Sequence, residues 1–147
     1  MTNNEQLFRK KAAEGYLVCF NNDCPLHDQC LRCDIGQYAP SGNMIISVVN
    51  PHHAHATDGK CTLFTLNQKV KMPVGMKLHF YEDMPARVAK RIKQRLIDRN
   101  CRSTYYQYHN GTRPIPSAML SFIEQVCREE GWQAPLVFDG EVEDYVW

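Results

Sequence analysis

The period of apolar and polar positions changes several times along the chain, and each change marks a predicted element. Residues 6–14 are mostly polar and run into Gly15, which tolerates the left-handed conformation of a helix C-terminus, so they predict a short surface helix. Tyr16-Leu-Val-Cys-Phe20 is a brief apolar entry to a segment where Asn21, Asn22, Asp23, Pro25 and Asp28 supply turn chemistry. After a turn at 39–43, the apolar run 44–49 predicts a buried strand and 61–66 a second one. The two are expected to pair antiparallel across a loop holding His52, His53, His55, Asp58 and Gly59. Leu78 and Phe80 are candidates to extend this sheet, with Pro73 and Gly75 interrupting the approach.

The strongest helical period starts at Pro85 and places Val88, Ala89, Ile92 and Leu96 on one face. Residues 103–109 are rich in β-branched and aromatic side chains, and Asn110-Gly111 suits the positive φ of a tight turn, so a hairpin is expected, its second arm limited by Pro114. Ser117 can cap a second helix with the stripe Met119, Phe122, Ile123, Val126 and Cys127, ending at Gly131. Phe138, Val142, Tyr145 and Trp147 give the acidic tail, 132–147, apolar residues to pack. The predicted class is α+β: an N-terminal cysteine metal knuckle, a small antiparallel sheet, and two principal helices with a hairpin between them. One domain, 1–147, is expected, with the knuckle and first strand pair in 16–66 and the helix-hairpin-helix portion in 84–131.

Size and composition support one compact core rather than two, since 147 residues with 44% hydrophobic and 22% charged side chains match ordinary globular usage. No apolar run approaches the roughly 18 residues of a membrane span, and the polar start, Met1-Thr-Asn-Asn-Glu-Gln, lacks the order of a signal peptide. A cytoplasmic protein is expected. The net charge of +1 conceals a division along the chain. Arg87, Lys90, Arg91, Lys93, Arg95, Arg99 and Arg102 are opposed locally only by Asp98, whereas from Glu124 onward only Arg128 opposes seven acidic residues. Such a division implies either an anionic partner or attraction between the two parts. Cations followed by Tyr105, Tyr106, Tyr108 and Arg113 make the mixture that binds phosphates and stacks bases, so nucleic acid is one candidate partner, and a solvated basic face is the plainer explanation.

Cysteine carries the clearest chemistry. Cys19, Cys24, Cys30 and Cys33 crowd into fifteen residues, followed by Cys61, Cys101 and Cys127. In a reducing compartment, thiols spaced this way hold a metal more readily than they form disulfides, and seven is an odd number. Cys30-x2-Cys33 has knuckle spacing, Cys24-x2-His27 offers a mixed pair, and Cys61 is the natural distant thiol for a tetrahedral ion. Cys19-Phe-Asn-Asn-Asp-Cys24-Pro25, Cys30-Leu-Arg32, Gly59-Lys-Cys61 and Ser103-Thr-Tyr-Tyr106 resemble an uncharacterised bacterial family known only as a domain of unknown function, over about residues 16–131. The resemblance implies Cys19, Cys24, Cys30 and Cys61 as the metal ligands, with Cys33 spare, and it carries no activity.

Zinc is the expected ion and an iron–sulfur cluster the alternative. A Cys30–Cys33 redox dithiol is less favoured, because no strand followed by a helix start is predicted around those thiols. The histidine loop reads as polar surface, and Cys101 and Cys127 as small core residues. No nucleotide-binding glycine loop, hydrolase elbow or metalloprotease helix is present, which leaves enzymatic activity open. The expected function is a zinc-stabilised, non-enzymatic binding or adaptor module for a protein or nucleic acid; the alternatives are a redox protein or an enzyme with an unrecognised site.

Overall fold

A computed structural model describes residues 1–51 and 61–147; the histidine loop, with His52, His53, His55 and Asp58, and the Gly59-Lys60 pair lie outside the described residues. The chain is α+β and divides into two compact units, one of residues 1–68 with 145–147 and one of residues 69–144. Instead of the single core expected from composition, each unit has buried clusters of its own.

The first unit opens with α1, Asn3–Ala13. It starts ahead of the predicted boundary because Thr2 and Glu5 form a capping box: the Thr2 hydroxyl accepts the Glu5 N–H at 3.2 Å, and the Glu5 carboxylate accepts the Thr2 N–H at 2.7 Å. The helix ends as predicted at Gly15, φ +86°, where the N–H groups of Gly15 and Tyr16 donate to the carbonyls of Ala12 and Lys11 in a Schellman arrangement. Phe8 and Ala12 bury one stripe of α1 against Val18, Tyr145 and the residues Leu31 and Ile35 of a second short helix, α2, Leu31–Gly36. The acidic tail therefore packs through its aromatics, with the Tyr145 ring 5.5 Å from Phe8 and Trp147 edge-on to Tyr16.

The predicted strand pair at 44–49 and 61–66 does not form. Met44 is 100% exposed and Ile45 89%, and only Ile46 and Val49 of this apolar run reach a buried cluster, so it is not a core strand. Among the described residues what remains is two isolated bridges, Val18 with Val48 in parallel and Cys30 with Leu66 antiparallel.

In the second unit β1, Val70–Val74, pairs antiparallel with β2, Gly140–Asp144, in the register Met72 opposite Val142. Proline is tolerated in β1 because its missing N–H faces away from β2, on the side where the Pro73 carbonyl accepts the Ile115 N–H at 2.9 Å. Gly75, at φ +80°, sits where a Cβ would lie 2.6 Å from the Asp139 carboxylate. That carboxylate accepts the backbone N–H groups of Lys77, Leu78 and His79 at 3.0–3.2 Å, which makes this stretch a turn and not the predicted extension of the sheet.

The two principal helices appear as α3, Ala86–Asn100, and α5, Ser117–Glu129. Between them stands a third helix, α4, Arg102–Asn110, where a hairpin was expected. Tyr105 and Tyr108, three residues apart, bury one helical face, and Gly111 at φ +77° serves as the C-cap of α4 and not as a hairpin turn. Ile92, Leu96, Tyr105, Ile115, Ile123 and Val126 are all fully buried in one core.

Candidate functional site

Four stretches of the first unit bring thiols together. Cys19 follows Val18, whose N–H and carbonyl are tied to Ser47 and Val49 (3.2 and 2.8 Å), and its own N–H donates to the Arg32 carbonyl at 3.1 Å. Cys24 lies in a chain of tight turns, in which the Asn21 side chain accepts the Asp23 N–H at 3.2 Å and the His27 N–H donates to the Cys24 carbonyl at 3.0 Å. Cys30 is the N-cap of α2, and its carbonyl accepts the N–H groups of both Cys33 and Asp34 at 3.1 Å. Cys61 begins a turn closed by the Phe64 N–H, and its segment docks beside Cys30 through Leu31 N–H to Thr65 carbonyl (2.8 Å) and Asn67 N–H to Gln29 carbonyl (2.9 Å).

All five of these thiols line one pocket of about 10 Å3, close to the space a single water molecule needs. Leu26, Val49, Leu63 and Phe64, with Arg32, complete the wall. Cys19, Cys30 and Cys33 are buried with Val49, while Cys24 and Cys61 are half-buried. Burial pushes the Cys33 thiol far up, and the adjoining thiols of Cys30 and Cys19, with which it hydrogen-bonds, push it further. The four residues predicted as ligands thus share a pocket with the predicted spare, whereas His27 is not part of that wall. Its Nδ1 is buried without a hydrogen-bond partner among the described residues.

The five cysteines are free thiols, and among the described residues no three His, Cys, Asp or Glu side chains are arranged to hold a metal ion. The sulfurs of the predicted knuckle share one cavity. Their chemistry nevertheless suits a thiophilic ion, because a structural zinc takes four thiolates or imidazoles and no open ligand position. A cation here would reverse the effect of burial on the thiols, since a coordinating thiol is deprotonated outright.

Two residues without a predicted role shape this site. Arg32 donates through Nε to the Leu63 carbonyl (2.8 Å) and through an Nη to the Leu17 carbonyl (2.9 Å), with its guanidinium over the Tyr16 ring. It joins the chain just before Cys19 to the chain just after Cys61. Gly36 lies where a Cβ would come within 2.9 Å of the Cys19 carbonyl, so its lack of a side chain permits α2 to pack against the segment that carries Cys19. Arg32 stands in the Cys30-Leu-Arg motif, but its partners are backbone carbonyls, which sequence does not display.

Outside the first unit the thiols are unrelated to this pocket. Cys127 is buried in the core, its thiol pushed up to about 11 by desolvation, as expected of a small core residue. Cys101 is exposed, contrary to expectation, at the junction of α3 and α4 with φ +66°. Hydrogen bonding with Thr104 holds its thiol below the ordinary range.

The basic helix is partly engaged within its own unit. Arg91 pairs with Glu130 at 2.9 Å, Arg95 with Glu129 and Glu130, and Arg99 stacks on Phe122 at 4.2 Å. Lys93 lies over Tyr106 at 5.4 Å. The attraction between basic and acidic stretches is thus realised along the α3–α5 seam. No helix among the described residues is long and apolar enough to cross a membrane.

No curated protein and no solved structure matches the chain. A match extends over residues 1–147 to a family of unknown function, and the chain belongs to that family, DUF6078.

Proposed function

We propose that the thiol pocket holds one structural zinc ion, ligated by Cys19, Cys24, Cys30 and Cys61, and that the protein is a non-enzymatic binding module. The observation that supports this is the convergence of thiols from four separate stretches of chain on one small pocket whose other lining residues are apolar except Arg32. Binding requires the sulfurs to turn from their free-thiol positions toward a common centre, a change of side-chain torsions in residues whose backbones are already hydrogen-bonded in place. A bound ion would stabilise this unit directly, because a structural zinc site contributes its binding energy to folding. Metal content and visible absorption of the purified protein test the proposal. A colourless protein with about one zinc per chain is the expected result for a closed tetrahedral site. A brown protein would mean an iron–sulfur cluster, and a metal-free protein that resists zinc loading would sink both. On this reading Arg87, Lys90, Lys93, Arg99 and Arg102, which no Glu or Asp ion pair engages among the described residues, are the cations left to meet an anionic protein or nucleic acid, Lys93 and Arg99 also lying over aromatic rings.

A further inference from the structure

The pocket holds five thiols where a tetrahedral ion needs four. Cys33 is the surplus one, and its position is specific. It stands one helical turn from Cys30, joined to it by the Cys33 N–H to Cys30 carbonyl hydrogen bond at 3.1 Å, and the two side chains are buried in the same cluster. Residues three apart on a helix lie close enough for their Cα atoms to fall in the range a disulfide spans, so the bond needs no unfolding of α2. The Cys33 thiol hydrogen-bonds with the thiols of both Cys30 and Cys19, and of these two Cys30 is the one within a helical turn of it. A redox dithiol is disfavoured in the sequence because no strand followed by a helix start is expected around these thiols; the structure supplies the helix start, with Cys30 as the N-cap of α2, and no strand leads into it among the described residues.

We infer that Cys30 and Cys33 form a peroxide-sensitive dithiol, whose oxidation to a disulfide removes one zinc ligand and releases the ion. The inference rests on the proposed zinc site and adds its regulation. In the first step the Cys30 sulfur attacks one peroxide oxygen, the O–O bond breaks, and Cys30 becomes a sulfenic acid as hydroxide leaves and is protonated. In the second, the Cys33 sulfur attacks that sulfenic sulfur, the S–O bond breaks, and water leaves as the S–S bond forms. Two thiols and one hydrogen peroxide give one disulfide and two waters. Three thiolates remain around the ion, which is then held by an open coordination sphere. A thiol reductant with added zinc reverses the change.

The test uses the full chain loaded with zinc, treated with hydrogen peroxide, with a chromophoric chelator reporting released zinc and peptide mapping reporting the bond. The expected result is zinc release together with a mass loss of about 2 Da on a linked Cys30–Cys33 peptide pair. Cys33→Ser and Cys33→Ala should both bind zinc as the natural chain does, yet lose the linked peptide and release zinc more slowly. If either variant folds but fails to bind zinc before peroxide is added, Cys33 is a ligand and the inference is overturned while the zinc site stands. Equal release rates with and without Cys33, or a disulfide mapped to other cysteines, also overturn it. If the natural chain binds no zinc, the release step falls with the zinc proposal, and mapping of the peroxide-treated natural chain still decides whether Cys30 and Cys33 are a dithiol.

Discussion

Replacing Arg32 with Ala should loosen the first unit by about 3 kcal/mol, which follows from what its guanidinium holds. A hydrogen bond from a charged donor contributes about 1.5–3 kcal/mol, and Arg32 makes two, to the carbonyls of Leu17 and Leu63. Its cation–π contact with Tyr16, at 5.1 Å to the ring centre, adds about 0.5–1 kcal/mol. Both hydrogen bonds are part-buried and not fully desolvated, so the lower end of each range applies. Water can enter the space left by Ala and partly satisfy the carbonyls, which again favours the lower end. Arg32→Lys keeps one charge on a point donor and cannot serve two carbonyls in fixed directions, so it should fall between Ala and the natural chain. The assay is urea unfolding at fixed zinc concentration, read by fluorescence of Trp147 in a Trp132→Phe background, because Trp147 belongs to the first unit and Trp132 to the second. With a urea slope of about 1–3 kcal/mol per molar, the midpoint should fall by about 1–3 M. A loss below about 0.5 kcal/mol, the range of an ordinary surface change, would show that Arg32 does not brace the thiol pocket.

Gly36→Ala should cost about 1–3 kcal/mol by overpacking against the Cys19 carbonyl, whereas Gly42→Ala, with nothing within 4 Å of the added Cβ, should change the urea midpoint little. Iodoacetamide at neutral pH should label Cys101 first, because it is exposed and its thiol is held low, and should reach Cys127 only when the core opens, because burial holds that thiol near 11; peptide mapping over time checks the order. Chelating the proposed zinc should lower the unfolding midpoint seen at Trp147 and raise the labelling of Cys19 and Cys30; if neither signal moves in a protein shown to contain zinc, the ion is not structural.

The parts of the fold that sequence displayed are those set by local periodicity. The stripes of α3 and α5 bury Ile92, Leu96, Met119, Ile123 and Val126, and Gly15 and Gly131 end their helices with positive φ, as the pattern predicts. Asn110-Gly111 shows how a correct local signal can be assigned to the wrong element. A left-handed glycine closes a hairpin or a helix equally well, and the burial of Tyr105 and Tyr108 on one helical face decides between them. Residues 44–49 show the converse: the run is apolar enough for a core strand, but no partner strand forms beside it, and Met44 and Ile45 remain in solvent. β1 was hidden by Pro73, whose tolerance depends on Ile115, a residue distant in sequence. The thiol set was visible as a group, since Cys30 and Cys33 are locally spaced, but its closure by Arg32 and by the Cys30–Leu66 bridge is long-range and leaves no periodic trace.

The two units meet the cost of ordering their chains in different ways. The second has a continuous core of helix faces in which Ile92, Leu96, Tyr105, Ile115, Ile123 and Val126 exclude solvent completely, and hydrophobic burial of that kind needs no additional brace. The first buries only Phe8, Ala12, Val18, Leu31, Ile35 and Tyr145 in one described cluster and three cysteines with Val49 in another. Its connections run through single bridges and turns, each fixing a backbone at a cost of about 1–2 kcal/mol per residue with little apolar area in return. Arg32 offsets part of that cost by tying two stretches through their carbonyls, and a thiolate-bound ion would offset much more by tying four. The dependence on metal should therefore be confined to the unit that contains the thiols. For the same reason a disulfide between Cys30 and Cys33 would matter: it adds a link within one turn of α2 and removes one that holds distant stretches together, so oxidation should weaken the unit even as it adds a covalent bond.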